Sequence, residues 1–436
     1  MELSQNTKNL ILKYSLWSRL QSNRGSSTAE PSGQKSFIHV DEVASQVAAF
    51  YEQIRTVIDW KEEHLMRRAA IIRKLKRRFS EFELDEFPLE EVAEPLVLEL
   101  IRGGYFPNDK IEESKILDVK KIIGKYVFIL KNNPQNKKRK SESQFYTEIL
   151  EIAACEIEET LAPSIKEMAL IEYMFKQMQE QIKVNESIYE KGLLKKEEKD
   201  IQIYIAVQKS LFMLDEPIIS YNLLKYKYTF WESPSEEELL KISQNIYALW
   251  EDIKRDLSHP MQKKFYSICE KYDTVYLLLG DILSIETSEN ISEPSLMEVS
   301  IKKAYEKRFL NLKEKIKRAA IYSTTSIFVT KILSLLILEI ILAKLIYDGQ
   351  IDFVSLGVDV LIPTGLMGFL VLNIKPPSKK NLNLAIVETM KIVYQKENPD
   401  IYEIKPTKKR GLITRMFLSL IYLLGATISL GFLFWI

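Results

Sequence analysis

Two acidic residues near the end of the chain lie inside long apolar stretches, where their placement could support chemistry. Glu339 lies in the apolar run at residues 327–346, and Asp359 lies in the next run, at residues 353–374. If both runs are helices, which rise about 1.5 Å per residue, the two carboxyl groups lie at similar depths. Two carboxyl groups in a medium of low dielectric constant cannot both ionise cheaply. One must then be protonated, or the two must share a cation.

This pair of carboxyl groups has a functional and a structural interpretation. A proton or cation shared by Glu339 and Asp359 would serve transport. Alternatively, a protonated Glu339 donates a hydrogen bond that holds the two helices together. Pro363 favours the structural role, because a proline leaves the carbonyl four residues earlier, at position 359, without its helical donor. Lys331 lies about 12 Å along the helix from Glu339 and is expected to extend to the cytoplasmic interface instead.

Three apolar runs position these residues, and each is long enough to cross a membrane. The third run, residues 416–436, ends the chain. A helix needs about 20 residues to cross the hydrocarbon core of a bilayer, and all three runs reach that length. The alternative is a set of core helices in a soluble protein, which would not require basic residues on one side of every run. The sequence therefore predicts three transmembrane helices.

Basic residues predict which side of the membrane each part of the chain occupies. They cluster before the first run, after the second and before the third, whereas the loop at residues 347–352 has two aspartates and no basic residue. This positive-inside pattern predicts that residues 1–318 and 375–415 are cytoplasmic and that the C-terminus lies outside. Nine residues are predicted to contact anionic lipid headgroups: Lys313, Lys315, Lys317, Arg318, Lys379, Lys380, Lys408, Lys409 and Arg410.

Two segments near the apolar runs are expected to pack against other helices. Gly425, Ser429 and Gly431 give the third run a face of small residues. Such a face lets transmembrane helices approach closely, within one chain or between the copies of a homo-oligomer. Residues 381–395 place apolar side chains along one side of a helix. This amphipathic helix is predicted to lie in the inner interface or to pack on the cytoplasmic domain.

The composition predicts that the rest of the chain is also helical. Only 14 glycines and 15 prolines occur in 436 residues, and these residues weaken helix interiors. Similar helix boundaries near residues 214 and 257 suggest helical hairpins stacked as in an α-solenoid. The predicted organisation is a short amphipathic helix at 1–20, a flexible linker at 21–40, a long coiled-coil-like helix and helical subdomain at 41–131, a basic linker at 132–143, a helical-hairpin domain at 144–318, a transmembrane hairpin at 319–374, a cytoplasmic loop at 375–415 and a third transmembrane helix at 416–436.

The sequence contains no recognisable catalytic constellation. Its 61 basic and 60 acidic residues argue against a globally basic nucleic-acid-binding protein. Cys155 and Cys269 lie far apart and indicate neither a disulfide framework nor a zinc site. The basic helix end at residues 67–79 is interpreted as a solvated face rather than a nucleic-acid contact. No cofactor or metal is predicted.

These observations predict an interaction protein rather than an enzyme. We expect a cytoplasmic helical domain that binds an unidentified protein partner and is anchored by the three transmembrane helices. The alternative is a component of a membrane transport or secretion complex that uses Glu339 and Asp359 as a proton or cation site.

Overall fold

The protein is all-α over the part of the chain that the structure describes. This computed structural model describes residues 2–25, 36–40, 63–133, 142–285, 291–335, 337, 353–374, 379–394, 400–406 and 412–435. Within them lie fifteen α-helices, one short 3-10 helix and two strands of three residues each. The prediction of an all-α fold is confirmed.

Eleven helices, the 3-10 helix and one strand form a helical body, and four helices and one strand follow it. The body contains α1 (Gln5–Gly25), α2 (Glu63–Glu81), the 3-10 helix (Leu84–Glu86), α3 (Leu89–Arg102), α4 (Ser114–Lys131), α5 (Glu142–Leu161), α6 (Ile165–Gln181), β1 (Ile182–Val184), α7 (Glu186–Glu190), α8 (Glu198–Phe212), α9 (Glu216–Lys227), α10 (Glu236–Leu257) and α11 (Gln262–Ile285). The following elements are α12 (Pro294–Ser334), α13 (Phe353–Leu372), α14 (Lys379–Val393), β2 (Tyr402–Ile404) and α15 (Leu412–Trp435).

Capping residues set several of these helix boundaries. Ser235 begins α10 with a capping box, in which its hydroxyl accepts a hydrogen bond from the backbone N–H of Glu238 and the Glu238 carboxylate accepts one from the backbone N–H of Ser235. Asp215 stands at the N-cap of α9 without a side-chain capping hydrogen bond, and a proline lies in the first turn. Ser258 is the C-cap of α10. The boundaries near residues 214 and 257 are therefore not alike.

Helices that are distant in sequence pack together in the body. Helix α1 packs on α6, α4 packs on α10, and α11 packs on α8. In a solenoid each repeat contacts only its neighbours in sequence, so this arrangement differs from the predicted solenoid-like stacking. Cys155 and Cys269 are both buried in the resulting core, and burial raises the pKa of each thiol.

The body encloses a buried ion pair between α4 and α5. The Lys125 ammonium donates to Glu156 Oε1 at 2.5 Å and to the Trp231 carbonyl at 2.8 Å. The Tyr126 hydroxyl donates to Glu156 Oε2 at 2.7 Å. Burial lowers the pKa of Lys125 and raises the pKa of Glu156, because both charged forms are removed from water. The hydrogen bonds are what allow two charges to be buried here.

The segment between the second and third predicted spans packs on the body. Strand β2 pairs in parallel with β1, with Ile182 opposite Tyr402. The Tyr173 hydroxyl donates to the Ile392 carbonyl at 2.7 Å, and the Tyr394 hydroxyl donates to the Ile291 carbonyl at 2.8 Å. Of the two positions predicted for the amphipathic helix at 381–395, the structure has the second, in which α14 packs on the body.

The three transmembrane helices are not found. Within the described residues, no helix is both long and apolar enough to cross a membrane. The described start of the first predicted span continues α12, whose earlier turns are charged. Residues 338–352, and with them the predicted loop at 347–352, lie outside the described residues. Some side chains of the second and third predicted spans also lie outside them.

Candidate functional site

A large concave surface lies in a groove between α11, α12 and α14. The groove has a volume of about 1430 Å³. The groove runs along α12 from Ser300 to Arg318, which for a helix rising 1.5 Å per residue is roughly 27 Å. It is long and open rather than closed, a shape suited to an elongated ligand.

Apolar side chains form the floor of this groove. Leu277 and Ile282 come from α11, Tyr305 and Leu312 from α12, and Leu384 from α14. Leu384 is 63% exposed, although the opposite face of α14 is buried in the body. An exposed apolar floor between three helices is typical of a surface that binds another apolar group.

Basic residues of α12 line one side of the groove. Lys303 and Lys307 are four residues apart and therefore lie on the same face of the helix, and Lys315 lies further along the groove. None of the three forms an ion pair with another described residue, whereas their neighbours Lys302 and Arg318 pair with Glu298 and Glu314 on α12 itself. The three lysines thus leave positive charge available to a ligand.

One ion pair joins α11 to α12 at the groove and sets the distance between these two helices. Arg308 of α12 donates to Asp281 of α11, with Nη2 3.0 Å from Oδ1, and its Nε donates to the other carboxylate oxygen. A bidentate guanidinium–carboxylate pair is geometrically specific. We infer that Arg308 holds α12 at a set distance from α11 and is not available to a ligand.

Beyond the groove, the apolar side chains are exposed. Leu366 and Leu372 of α13 are 58% and 86% exposed, and Tyr422 and Ile428 of α15 are 77% and 70% exposed. On α13, Val360 is the one hydrophobic residue among the described side chains that is buried. The exposed side chains of these two helices are mostly apolar among those that the structure describes.

The residues predicted to form a polar site are only partly brought together. The Lys331 ammonium lies 3.4 Å from Asp359 Oδ2, so α12 and α13 are joined by an ion pair that the sequence interpretation had not assigned. Glu339, the predicted partner of Asp359, lies outside the described residues. Pro363 lies within α13, whose helix continues past it. The hydroxyl of the next residue, Thr364, donates to the carbonyl of Val360, which lies one turn earlier, at 2.8 Å.

The structure describes the side chains of five of the nine residues predicted to contact lipid headgroups. Lys315 and Arg318 line the groove, whereas Lys313 and Lys317 are exposed on α12 and do not line it. Lys380 is exposed near the start of α14. The side chain of Lys379 and all of Lys408, Lys409 and Arg410 lie outside the described part of the chain.

The predicted packing face of small residues has room for larger side chains at its two glycines. A Cβ atom added at Gly425 or at Gly431 would meet nothing within 4 Å. The side chain of Ser429 lies outside the described residues. Packing of this face, within the chain or between copies, stays a prediction.

The basic stretch at residues 67–79 is turned mainly toward the body. Arg67 pairs with Glu158, Arg68 with Asp215, and Lys74 with Glu99. Its charges are thus largely compensated by acidic residues of other helices. Among the described residues, no group of three histidine, cysteine, aspartate or glutamate side chains could hold a metal ion.

Sequence reasoning did not find the groove. The signal lies in α12, where Lys303 and Lys307 lie on one side of the helix and Tyr305 and Phe309 lie on nearly the opposite side. The packing of α11 and α14 that forms the groove depends on long-range contacts. Comparison of the chain with protein-family models, curated proteins and solved structures finds no match.

Proposed function

We propose that this protein is a membrane-attached interaction protein, in which lipid surrounds α13, α15 and the end of α12 while the helical body stands in water. The exposure of the apolar side chains on α13 and α15 is the observation that supports this proposal. Burying a single leucine or phenylalanine side chain is favourable by about 1.5–3 kcal/mol. Helix α15 exposes such residues all round, and α13 exposes them on the side that does not pack on α12, so both helices favour an apolar medium strongly.

Lipid fits these helices better than a protein surface does. A protein partner covers one face of a helix, whereas α15 has exposed apolar residues on all sides, including Tyr422, Leu423 and Leu424. Basic residues stand where the chain leaves the body, with Lys313, Lys317 and Lys380 exposed there. Such residues attract anionic headgroups by about 1 kcal/mol each.

The position of α14 supports the arrangement of the chain relative to the membrane. Because α14 and β2 pack on the body, the chain must return to the body after α13 before it enters α15. Residues 1–318 and 375–415 then lie on the same side, which we propose is the cytoplasm because the basic residues are there. We propose that the apolar run at residues 416–436, part of which lies outside the described residues, leads the C-terminus to the other side.

Two reporter fusions test the attachment and its sidedness. A reporter after Ile436 is expected to be active outside the cytoplasm, and a reporter after Pro406, in a chain that lacks α15, is expected to be active in the cytoplasm. The full chain should also stay with the membrane fraction after alkaline carbonate extraction. Recovery of the full chain in the supernatant would refute membrane attachment, and cytoplasmic activity of the first fusion would refute the sidedness alone.

The transport alternative stays a prediction. Asp359 has a cationic partner in Lys331 at 3.4 Å, which gives its charge a structural role without a transported ion. This contact favours a helix-joining function for Asp359.

A further inference from the structure

We propose that the groove between α11, α12 and α14 binds one amphipathic helix with acidic residues along one edge, supplied by a partner protein. The proposal rests on the proposed membrane attachment in one respect, because that attachment determines how much of the groove lipid can reach. The proposed helix-binding groove assigns the protein–protein interaction to a defined surface and specifies an acidic amphipathic helix as the partner.

The dimensions of the groove fit a helix. Its length of roughly 27 Å corresponds to about five helical turns, or 18 residues. Its apolar lining includes Leu277, Tyr305, Leu312 and Leu384. A helix with apolar residues at i, i+3, i+4 and i+7 presents a stripe that would cover such a floor, as in other helix-in-groove complexes.

The charge of the groove selects an acidic partner. Lys303, Lys307 and Lys315 have no ionic partner among the described residues. The acidic residues that line the groove are Asp281, Glu314 and Glu388, and the first two are paired with Arg308 and Arg318. Glu388 is paired with Lys391. Glutamates spaced by one turn along the edge of a bound helix would face the two lysines that are one turn apart.

Lipid reaches only the lower end of this groove. Counting 1.5 Å per residue from Ile321, the first large apolar residue after Arg318, an upright α12 places Lys315 about 9 Å above the hydrocarbon, Lys307 about 21 Å above it and Lys303 about 27 Å above it. The headgroup layer is roughly 5–8 Å thick, and charges are screened beyond about 8 Å. Lys303 and Lys307 therefore need a ligand other than lipid, which favours a protein helix.

A peptide-binding experiment tests this proposal. The probe is a fluorescent helical peptide of about 18 residues, with leucines at i, i+3, i+4 and i+7 and glutamates along one edge. We expect it to bind the full chain in phosphatidylcholine nanodiscs with a fluorescence anisotropy change, and a peptide with lysines in place of the glutamates not to bind. The double variant Lys303→Glu/Lys307→Glu should weaken binding by about tenfold or more. Leu384→Gln should also weaken peptide binding, because it places a polar group among the apolar residues that line the groove.

The matched control is Lys313→Glu/Lys317→Glu, which makes the same charge change on α12 outside the groove. It should leave peptide binding unchanged and weaken binding to phosphatidylserine nanodiscs. The proposal is overturned if the acidic peptide does not bind at about 100 μM, if the lysine peptide binds equally well, or if both double variants weaken peptide binding to the same extent. Weaker phosphatidylserine binding in Lys303→Glu/Lys307→Glu, with peptide binding unchanged, would assign the groove to lipid. Repeating the peptide titration in detergent keeps the test independent of membrane attachment.

Discussion

Helices α13 and α14 are consecutive in the described chain, and they use apolar residues in opposite ways. Helix α14 buries Ala385, Thr389 and Val393, which are four residues apart and lie on one face. Helix α13 has more apolar residues and buries Val360 alone among its described hydrophobic side chains. The periodicity of apolar residues, and not their number, therefore determines which helix joins the body.

The ion pair in the body and the ion pair between α12 and α13 also differ in burial. Lys125 and Glu156 are buried in the body and bonded to further groups. Lys331 and Asp359 join α12 to α13 at 3.4 Å and are partly exposed. A buried pair is costly to break, because one charge is then left without compensation, whereas an exposed pair contributes little in water. The body should thus be much more sensitive to the loss of one charge.

The largest expected effect comes from removing the apolar helices while keeping α14. In this variant, residues 319–378 are replaced by a flexible linker of about 20 residues, which spans roughly 25 Å, and the chain ends at Pro406. Because the body then keeps α14 and β2, we expect a folded helical protein in the supernatant instead of the membrane fraction. The measurements are carbonate extraction, circular dichroism and thermal unfolding.

The control ends at Arg318 and therefore lacks α14 and β2 as well. It loses Val393, Tyr394 and Ile404 from the core and the hydrogen bond that the Tyr173 hydroxyl donates to the Ile392 carbonyl. We expect it to unfold at a lower temperature or to aggregate. If the two variants are equally stable, the packing of α14 on the body contributes nothing, and the contrast with α13 fails.

The sequence predicts the helical class, and the structure determines how the helices associate. Low glycine and proline content and apolar periodicity are local signals, and they predict α1 and α14 because each has one apolar face. Partners of charged residues are set by contacts between distant segments, which local spacing does not encode. Lys331 was expected to extend to the interface, yet it pairs with Asp359, because the relative register of α12 and α13 cannot be derived from the two sequences alone. The groove depends on the same kind of long-range packing.

The next largest effect is expected for Lys125→Ala in the body. Removing this cation leaves Glu156 buried without its counter-charge, which should reduce the free energy of unfolding by about 3–5 kcal/mol. The surface pair of Lys120 with Glu90 provides the control, because Glu90 is 84% exposed. Lys120→Ala should cost less than about 1 kcal/mol. Chemical denaturation of the two variants measures both values.

The pH dependence of Lys125→Ala follows from the direction of the Glu156 pKa. Burial raises this pKa in the folded protein, and loss of Lys125 raises it further. The folded state then holds a proton that the unfolded state releases above about pH 4.3. The destabilisation should therefore be smallest in acid and should grow as the pH rises through the folded pKa. Destabilisation that is independent of pH would show that lost packing, and not the buried charge, is responsible.

A smaller effect is expected for the ion pair between α12 and α13. A double-mutant cycle with Lys331→Met and Asp359→Asn should give a coupling energy of about 0.6 kcal/mol and no more than roughly 1.7 kcal/mol, as for polar contacts between membrane helices. Thermal unfolding in detergent measures it. Glu339→Gln should be near neutral if Lys331 is the partner of Asp359. Strong coupling of Glu339 to Asp359, with none for Lys331, would restore the carboxyl pair that the sequence suggested.

The smallest effect is expected at a glycine of α15, and a glycine of the body gives the matched comparison. A Cβ atom at Gly280 would lie 3.1 Å from Leu170 Cδ2 and 3.3 Å from the Tyr14 hydroxyl, whereas one at Gly425 would meet nothing within 4 Å. Gly280→Leu should therefore cost about 1–3 kcal/mol through overpacking. Gly425→Leu should change the stability of the monomer by less than about 0.5 kcal/mol.

Thermal unfolding in detergent gives the stability of both glycine variants, and sedimentation gives the copy number of Gly425→Leu. The small side chains of α15 are exposed to whatever surrounds the helix, so a larger residue is tolerated unless a second copy packs there. Loss of self-association at unchanged stability would locate packing between copies on this face. A clear loss of monomer stability at Gly425 would mean that α15 packs within its own chain, and the contrast between buried and exposed apolar helices would then not extend to α15.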